Sequence, residues 1–207
     1  MKISTIFFDL GNVLIRFHRD QVIEQLAPRS TLTKEEIDHL LIADSSFLDY
    51  EMGKITTAEA LDHWKECLGF SGTVDELEAI YCSSFEPIEK HIEYAHRLSK
   101  HYSLAVLSNT SEAHIRTVEK DYPFFDIFQE KIYSYEVALR KPDPAIYQLA
   151  LERMKADRFE ALFIDDLEEN VLTPSKMGWQ TIHLRPEVNL LYALQSYDLE
   201  GIRALDI

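Results

Sequence analysis

Short apolar runs of β-branched and aromatic residues alternate with amphipathic stretches through most of this chain. That alternation restricts the fold more than any other feature. Residues 3–8 (Ile-Ser-Thr-Ile-Phe-Phe) read as a buried strand, broken at once by Gly11-Asn12. Residues 104–107, 131–137, 162–164 and 180–184 have the same texture. Between them lie helical patterns: Pro87 is expected to open one containing Ile88, Ile92, Ala95 and Leu98, residues 111–120 form another, and Asp143-Pro144 starts a third that ends near Met154. Strands alternating with helices imply a parallel sheet covered on both faces.

From about Arg19 to Phe85 the texture is helical only, with no strand pattern. Val22, Ile23 and Leu26 give one stripe, Ile37, Leu40 and Leu41 the next, then Ala58, Leu61, Trp64 and Leu68, then Val74, Leu77, Ile80 and Tyr81. Thr33 with Glu36 reads as a capping box, and Thr57 and Thr73 as further helix starts. The expected organisation is discontinuous. Residues 1–15 and 86–207 form an α/β core, and residues 16–85 an inserted helical bundle. Both joins are expected at the carboxyl end of the sheet, where open α/β folds bind ligands.

The 207 residues carry 36 Asp+Glu against 21 Lys+Arg, a formal net charge of -15. Such a surface repels nucleic-acid phosphates and anionic membranes, so neither is expected as a partner. The N-terminal apolar run is too short for a signal-peptide core, and no stretch approaches membrane-spanning length. Cys67 and Cys82 make no disulfide framework and are expected as buried free thiols. The eight histidines do not cluster at metal-ligand spacing. His91 and His96 are expected on the surface, and Trp64 and Trp179 in the core. The turn 49–54 joins two helices of the insert, either as a plain connection or as an element pointing into the cleft.

Four polar segments follow predicted strands: Asp9-Leu10-Gly11-Asn12, Ser108-Asn109-Thr110, Lys141-Pro142-Asp143-Pro144 and Asp165-Asp166. Singly, each has an ordinary explanation as a turn residue, a helix cap or a solvated lysine. Adjacent carboxylates at the end of a buried strand repel each other unless a cation is near. In a parallel sheet all four segments converge on one edge, and the conjunction points to a site.

These segments, in this order, resemble the motifs of the haloacid dehalogenase superfamily, in the branch with a helical cap inserted after the first motif. The resemblance runs through Phe8-Asp9-Leu10-Gly11-Asn12-Val13, Leu107-Ser108-Asn109, Lys141-Pro142 and Ile164-Asp165-Asp166 with Asn170-Val171 and Gly178. It implies a Rossmann-like parallel sheet of order 3-2-1-4-5. It also implies a Mg²⁺-dependent phosphatase in which Asp9 attacks phosphorus to give an aspartyl-phosphate. Ser108 and Asn109 would hold phosphoryl oxygens, and Lys141 would balance charge. Asp9, Asp166 and the Gly11 carbonyl would hold Mg²⁺, with Asp165 assisting. The implied partner is a small phosphorylated metabolite. A cytoplasmic monomer or weak dimer is expected.

The chain departs from the superfamily pattern at Gly11, where its phosphatases carry a second Asp that protonates the leaving oxygen. Val13 stands where Thr is frequent. Losing a general acid costs about 10²–10⁴-fold in rate. Three readings follow: a substrate with a good leaving group, a replacement acid such as His18, or phosphate binding without turnover. The first is preferred. The first motif is similar to that of phosphatases acting on α-glucose 1-phosphate, whose anomeric oxygen leaves without much help. A metal-independent haloacid dehalogenase and a non-catalytic phosphate-binding regulatory module are the rival functions. Pro174 is a second irregularity, expected either to start its helix late, with Thr173 as cap, or to distort it.

Overall fold

The computed structural model describes residues 2–202. A five-stranded parallel sheet organises the chain. It comprises β1 (Thr5–Phe8), β4 (Ser103–Ser108), β5 (Glu130–Tyr133), β6 (Ala161–Asp165) and β7 (Gln180–His183). The order is β5-β4-β1-β6-β7, which is 3-2-1-4-5 when only the sheet strands are counted. The two remaining strands, β2 (Ile15–Phe17) and β3 (Phe85–Pro87), form a separate antiparallel ribbon.

The helices are α1 (Arg19–Leu26), α2 (Lys34–Ala43), α3 (Ser45–Glu51), α4 (Thr57–Leu68) and α5 (Val74–Tyr81), then α6 (Glu89–Leu98), α7 (Glu112–Asp121), α8 (Ser134–Val137), α9 (Pro144–Met154), α10 (Glu168–Met177) and α11 (Leu190–Gln195). Among the described residues, no helix is long and apolar enough to cross a membrane.

Strand residues alternate between two cores because successive side chains point to opposite faces. Ile6, Phe8, Leu104, Val106, Leu162 and Ile164 pack with residues of α6, α7 and α11. Phe7, Ala105, Leu107 and Phe163 pack with residues of α9 and α10 and with Trp179. The insert helices α1–α5 have their own core around Ile37, Leu61, Trp64 and Leu77. Capping boxes start three helices. Thr33–Glu36 and Thr73–Glu76 stand where the sequence puts them, and Thr56–Glu59 caps α4 one residue before the expected Thr57.

Several local expectations are corrected. Pro87 does not open a helix; it belongs to β3, and α6 begins at Glu89. The strand expected over residues 131–137 ends at Tyr133, and α8 follows without a loop. The insert is bounded by strands as well as helices, because Phe17 pairs with Phe85 and Ile15 with Pro87.

Pro174 neither delays nor breaks α10, which runs from Glu168 with the proline inside it. A proline has no N–H for the carbonyl four residues earlier. That carbonyl belongs to Asn170, and the Tyr147 hydroxyl donates to it at 2.7 Å. Tyr147 is fully buried on α9. Its hydroxyl therefore takes the place of the missing backbone donor, and an orphaned buried acceptor is avoided. Tyr147→Phe should cost about 1–3 kcal/mol in urea unfolding, because the Asn170 carbonyl loses its donor. In a Pro174→Ala background the helix supplies its own N–H, and the same substitution should cost clearly less. Equal costs in both backgrounds would contradict this pairing.

Candidate functional site

Strand register aligns the site. Phe8 lies opposite both Val106 and Ile164, so Asp9 and Asp165 emerge side by side at the carboxyl edge. Ser108 is opposite Tyr133 on the neighbouring pair. The loop before α9 carries Lys141 to the same edge. Its ammonium lies 2.8 Å from Asp9 Oδ1 and 2.6 Å from Asp165 Oδ2. Lys141 is 1% exposed and Asp165 fully buried.

The lysine is held from behind. The Asn109 amide donates to the Lys141 carbonyl at 2.9 Å and accepts from its N–H at 2.8 Å. Asn109 thus clamps the lysine backbone rather than presenting its amide freely to a ligand. Ser134, at the start of α8, does the same for Thr110: its hydroxyl accepts from the Thr110 N–H and donates to the Thr110 carbonyl. Ser108 is buried at the end of β4 beside these clamps.

Asp165 has little freedom left. Oδ1 accepts from the Leu167 N–H and the Asn170 amide, and Oδ2 from Lys141 and the same amide. Asp166 is half-buried, and its Oδ2 accepts from the Asn12 amide at 2.9 Å. Asp9, Asp165 and Asp166 bring carboxylate oxygens within 4.8 Å of one another. Three carboxylates against one ammonium leave the cluster two negative charges in excess. Desolvation pushes the Asp9 carboxyl up to about 7; Lys141 lowers it and Asp165 raises it. Burial also raises Asp166, with Asp165 adding to the shift. An all-oxygen donor set with this excess fits a hard divalent cation such as Mg²⁺. Among the described residues, no backbone N–H donates to the Gly11 carbonyl, which remains available as a further oxygen donor.

The loop after Asp9 folds tightly. Leu14 and Ile15 both donate to the Leu10 carbonyl, and Asn12 takes φ 54, a left-handed conformation Asn tolerates well. His91 on α6 donates from Nδ1 to the Val13 carbonyl at 2.7 Å, and burial lowers its pKa. It is half-buried and anchors this loop, contrary to the surface expectation. A Cβ added at Gly11 would meet nothing within 4 Å. His18 is turned to Glu86, with Nε2 2.8 Å from Oε2 on the ribbon.

The insert reaches this edge. The Tyr50 hydroxyl on α3 accepts from the Ala113 N–H in the first turn of α7, whose N-cap Ser111 makes no side-chain cap. Glu51 pairs with Arg140 beside Lys141 at 3.3 Å, and burial raises the Glu51 carboxyl. Gly53 packs so closely that an added Cβ would lie 2.1 Å from the Tyr135 carbonyl oxygen. The turn 49–54 therefore docks on the loops around Lys141.

Sequence reading singled out Asp9, Gly11, Ser108, Asn109, Lys141, Asp165 and Asp166, and the structure brings these segments to one edge. Asn12 stood in the first strand-end segment without a role of its own, and Tyr50 and Glu51 in the turn 49–54, for which both a plain connection and an element pointing into the cleft were expected. His91 was not singled out for the site.

A family model described as haloacid dehalogenase-like hydrolase matches residues 3–178. A D-ribitol-5-phosphate phosphatase of Bacteroides thetaiotaomicron is 22% identical over 186 residues, covering 86% of this chain and 90% of its own. A crystal structure of a haloacid dehalogenase-family enzyme from the same organism, in complex with magnesium and inorganic phosphate, superposes with a TM-score of 0.84 at 28% identity, covering 92% of this chain and 98% of that one. An (S)-2-haloacid dehalogenase of Pseudomonas sp. is 39% identical over 103 residues, covering 50% of this chain and 45% of its own.

The Asp9 shift has a measurable consequence. A carboxyl that keeps its proton to about pH 7 when folded, against an ordinary value of 3.8, makes the folded state bind more protons between those limits. Metal-free stability should therefore fall as pH rises from about 4 to about 7. Urea unfolding in a chelator should show this slope in the native chain and a shallower one in Asp9→Asn. Identical slopes would contradict the assignment.

Proposed function

The chain belongs to the haloacid dehalogenase-like hydrolase family, and from that premise we propose that it is a Mg²⁺-dependent phosphatase acting on a small phosphorylated metabolite. The observation that carries this reading is the cluster of Asp9, Asp165 and Asp166 around the Lys141 ammonium, which lacks positive charge until a divalent cation is added. The relative that binds magnesium and phosphate supports it.

Asp9 is the nucleophile. Its Oδ1 is held by Lys141, so Oδ2 attacks phosphorus while the ester P–O bond breaks. The product on the protein is an aspartyl-phosphate, which water then cleaves at phosphorus to release inorganic phosphate and restore Asp9. Lys141 offsets charge on the entering carboxylate and the phosphoryl oxygens. Ser108 donates its hydroxyl to a phosphoryl oxygen. Asn109 acts chiefly by positioning Lys141, and Asp165 by holding the lysine's other side. Asp9, Asp166 and the Gly11 carbonyl would hold the metal, and a bound Mg²⁺ would supply Lewis-acid charge compensation for the anionic substrate. Residues 2–15 and 86–202, the described part of the segments 1–15 and 86–207, act as the core, and residues 16–85 as a cap over the leaving group, hinged at the β2–β3 ribbon. The cap selects the substrate and excludes water.

Gly11 favours a leaving oxygen that needs no acid, as in a sugar 1-phosphate. The space around it is open, and His18 is engaged with Glu86. A second reading, a primary polyol phosphate, is favoured by the ribitol-phosphate phosphatase relative. A dehalogenase would have no use for the carboxylate excess.

Phosphate release from an aryl phosphate should require Mg²⁺ and fall by on the order of 10⁴-fold or more in Asp9→Asn. Halide release from 2-haloacids without metal would favour the dehalogenase instead. Across a series of esters, rate should drop steeply as the leaving oxygen becomes more basic. Gly11→Asp, whose Cβ would meet no neighbour within 4 Å, should flatten that dependence by speeding alkyl esters. Equal rates for primary alkyl and anomeric phosphates, with chemistry rate-limiting, would favour the polyol reading.

A further inference from the structure

A second cluster of metal-ligating side chains lies in the helical insert, away from the carboxylates at the sheet edge. His63 and Cys67 stand four residues apart on α4, on one face of the helix. Asp44, the residue between α2 and α3, faces them. Its Oδ2 is 2.9 Å from His63 Nε2, and Cys67 Sγ is 3.5 Å from the same nitrogen. One ligand atom from each residue lies within 4.8 Å of the other two. The expectation of buried free thiols is corrected: Cys67 and Cys82 are both only partly buried.

We propose that Asp44, His63 and Cys67 form a binding site for Zn²⁺ or a similarly soft divalent cation, with water as the fourth ligand. The donor set is one carboxylate oxygen, one imidazole nitrogen and one thiolate sulfur, a combination that selects zinc over magnesium. A tetrahedral Zn²⁺ has bonds of about 2.0–2.3 Å, which places its donors about 3.3–3.8 Å apart. The observed separations need only small side-chain rotations to reach that. Charge balances as well: a carboxylate and a thiolate neutralise a divalent cation, with the imidazole neutral. The thiol proton is released to solvent on binding.

The donors are already oriented. Asp44 Oδ1 accepts from the Ser46 N–H at 2.8 Å, which turns Oδ2 toward His63. One residue beyond His63, the Trp64 Nε1–H donates to the Ser46 hydroxyl at 2.7 Å, and the Trp64 ring stacks on Phe47 with centroids 4.1 Å apart. These contacts fix α4 against the first turn of α3, where the ligands meet. The His63 side chain is 45% exposed and that of Asp44 15%, so a hydrated ion can reach a site whose inner ligand is held. A bound ion would cross-link α4 to the start of α3, the helix that carries Tyr50 and Glu51 to the sheet edge.

Co²⁺ reports on such a site directly, because only a thiolate ligand gives a sulfur-to-cobalt charge-transfer band. The full-length chain, in excess Mg²⁺ to fill the oxygen site, should develop that band with one equivalent of Co²⁺. Zn²⁺ should abolish it by displacement and raise the unfolding temperature. Cys82→Ser should keep the band and Cys67→Ser should lose it. His63→Gln and Asp44→Asn should each weaken Co²⁺ binding at least tenfold. Absence of the band in the native chain, or its survival in Cys67→Ser, would overturn the proposal. Should Cys67→Ser fail to fold by circular dichroism, His63→Gln decides: a tenfold loss supports the site, and unchanged binding overturns it.

Discussion

The Lys141 ammonium between Asp9 and Asp165 is the contact on which the rest of the active edge depends. A buried charge is costly unless paired and hydrogen-bonded, and here one cation is shared by two carboxylates at the ends of adjacent strands. Everything nearby serves that arrangement. Asn109 grips the lysine backbone at both its N–H and its carbonyl. Asn170 and the Leu167 N–H immobilise Asp165. Asn170 in turn sits one helical turn ahead of Pro174, and its carbonyl is served by Tyr147. The irregular helix, the buried tyrosine and the ion cluster are thus one connected structure.

The same cluster fits a cation. Asp166 and Asp9 are held near Asp165 with one ammonium among them; burial is the main cause of the rise in the Asp9 carboxyl, Lys141 opposes it and Asp165 adds to it. In the proposed reaction, a bound Mg²⁺ would offset the carboxylate charge and favour the anionic form of Asp9 that a nucleophile requires. The insert completes the environment from above. Tyr50 caps α7, Glu51 meets Arg140, and Gly53 packs on the Tyr135 carbonyl. The contacts fall on the first turn of α7, on α8 and on the loop that carries Lys141, so a movement of the insert would be felt at Lys141.

Much of this was legible in the sequence because it is local. Residues 3–8 and 162–164 declared themselves as strands through runs of β-branched and aromatic residues, and Asp9 and Asp165-Asp166 followed at their ends. What escaped depends on partners distant along the chain. The β2–β3 ribbon pairs two three-residue strands whose partners are about seventy positions apart, too short for either to show a period. Nothing near Pro174 announces Tyr147. Asp44 has no visible relation to His63 until α3 and α4 are packed. Lys131 to Val137 was read as one strand because its apolar residues suit either conformation, and only pairing with β4 ends it at Tyr133.

The central claim is that Asp9 forms a covalent bond to phosphorus. An acyl phosphate is reduced by borohydride, which would convert the aspartate at position 9 to homoserine. We expect peptide mass spectrometry after borohydride quenching of a reacting sample to find homoserine at residue 9 only when both a phosphomonoester and Mg²⁺ are present. Sustained turnover with residue 9 unmodified under quenching that traps a known acyl phosphate, or trapping at another carboxylate, would contradict the account.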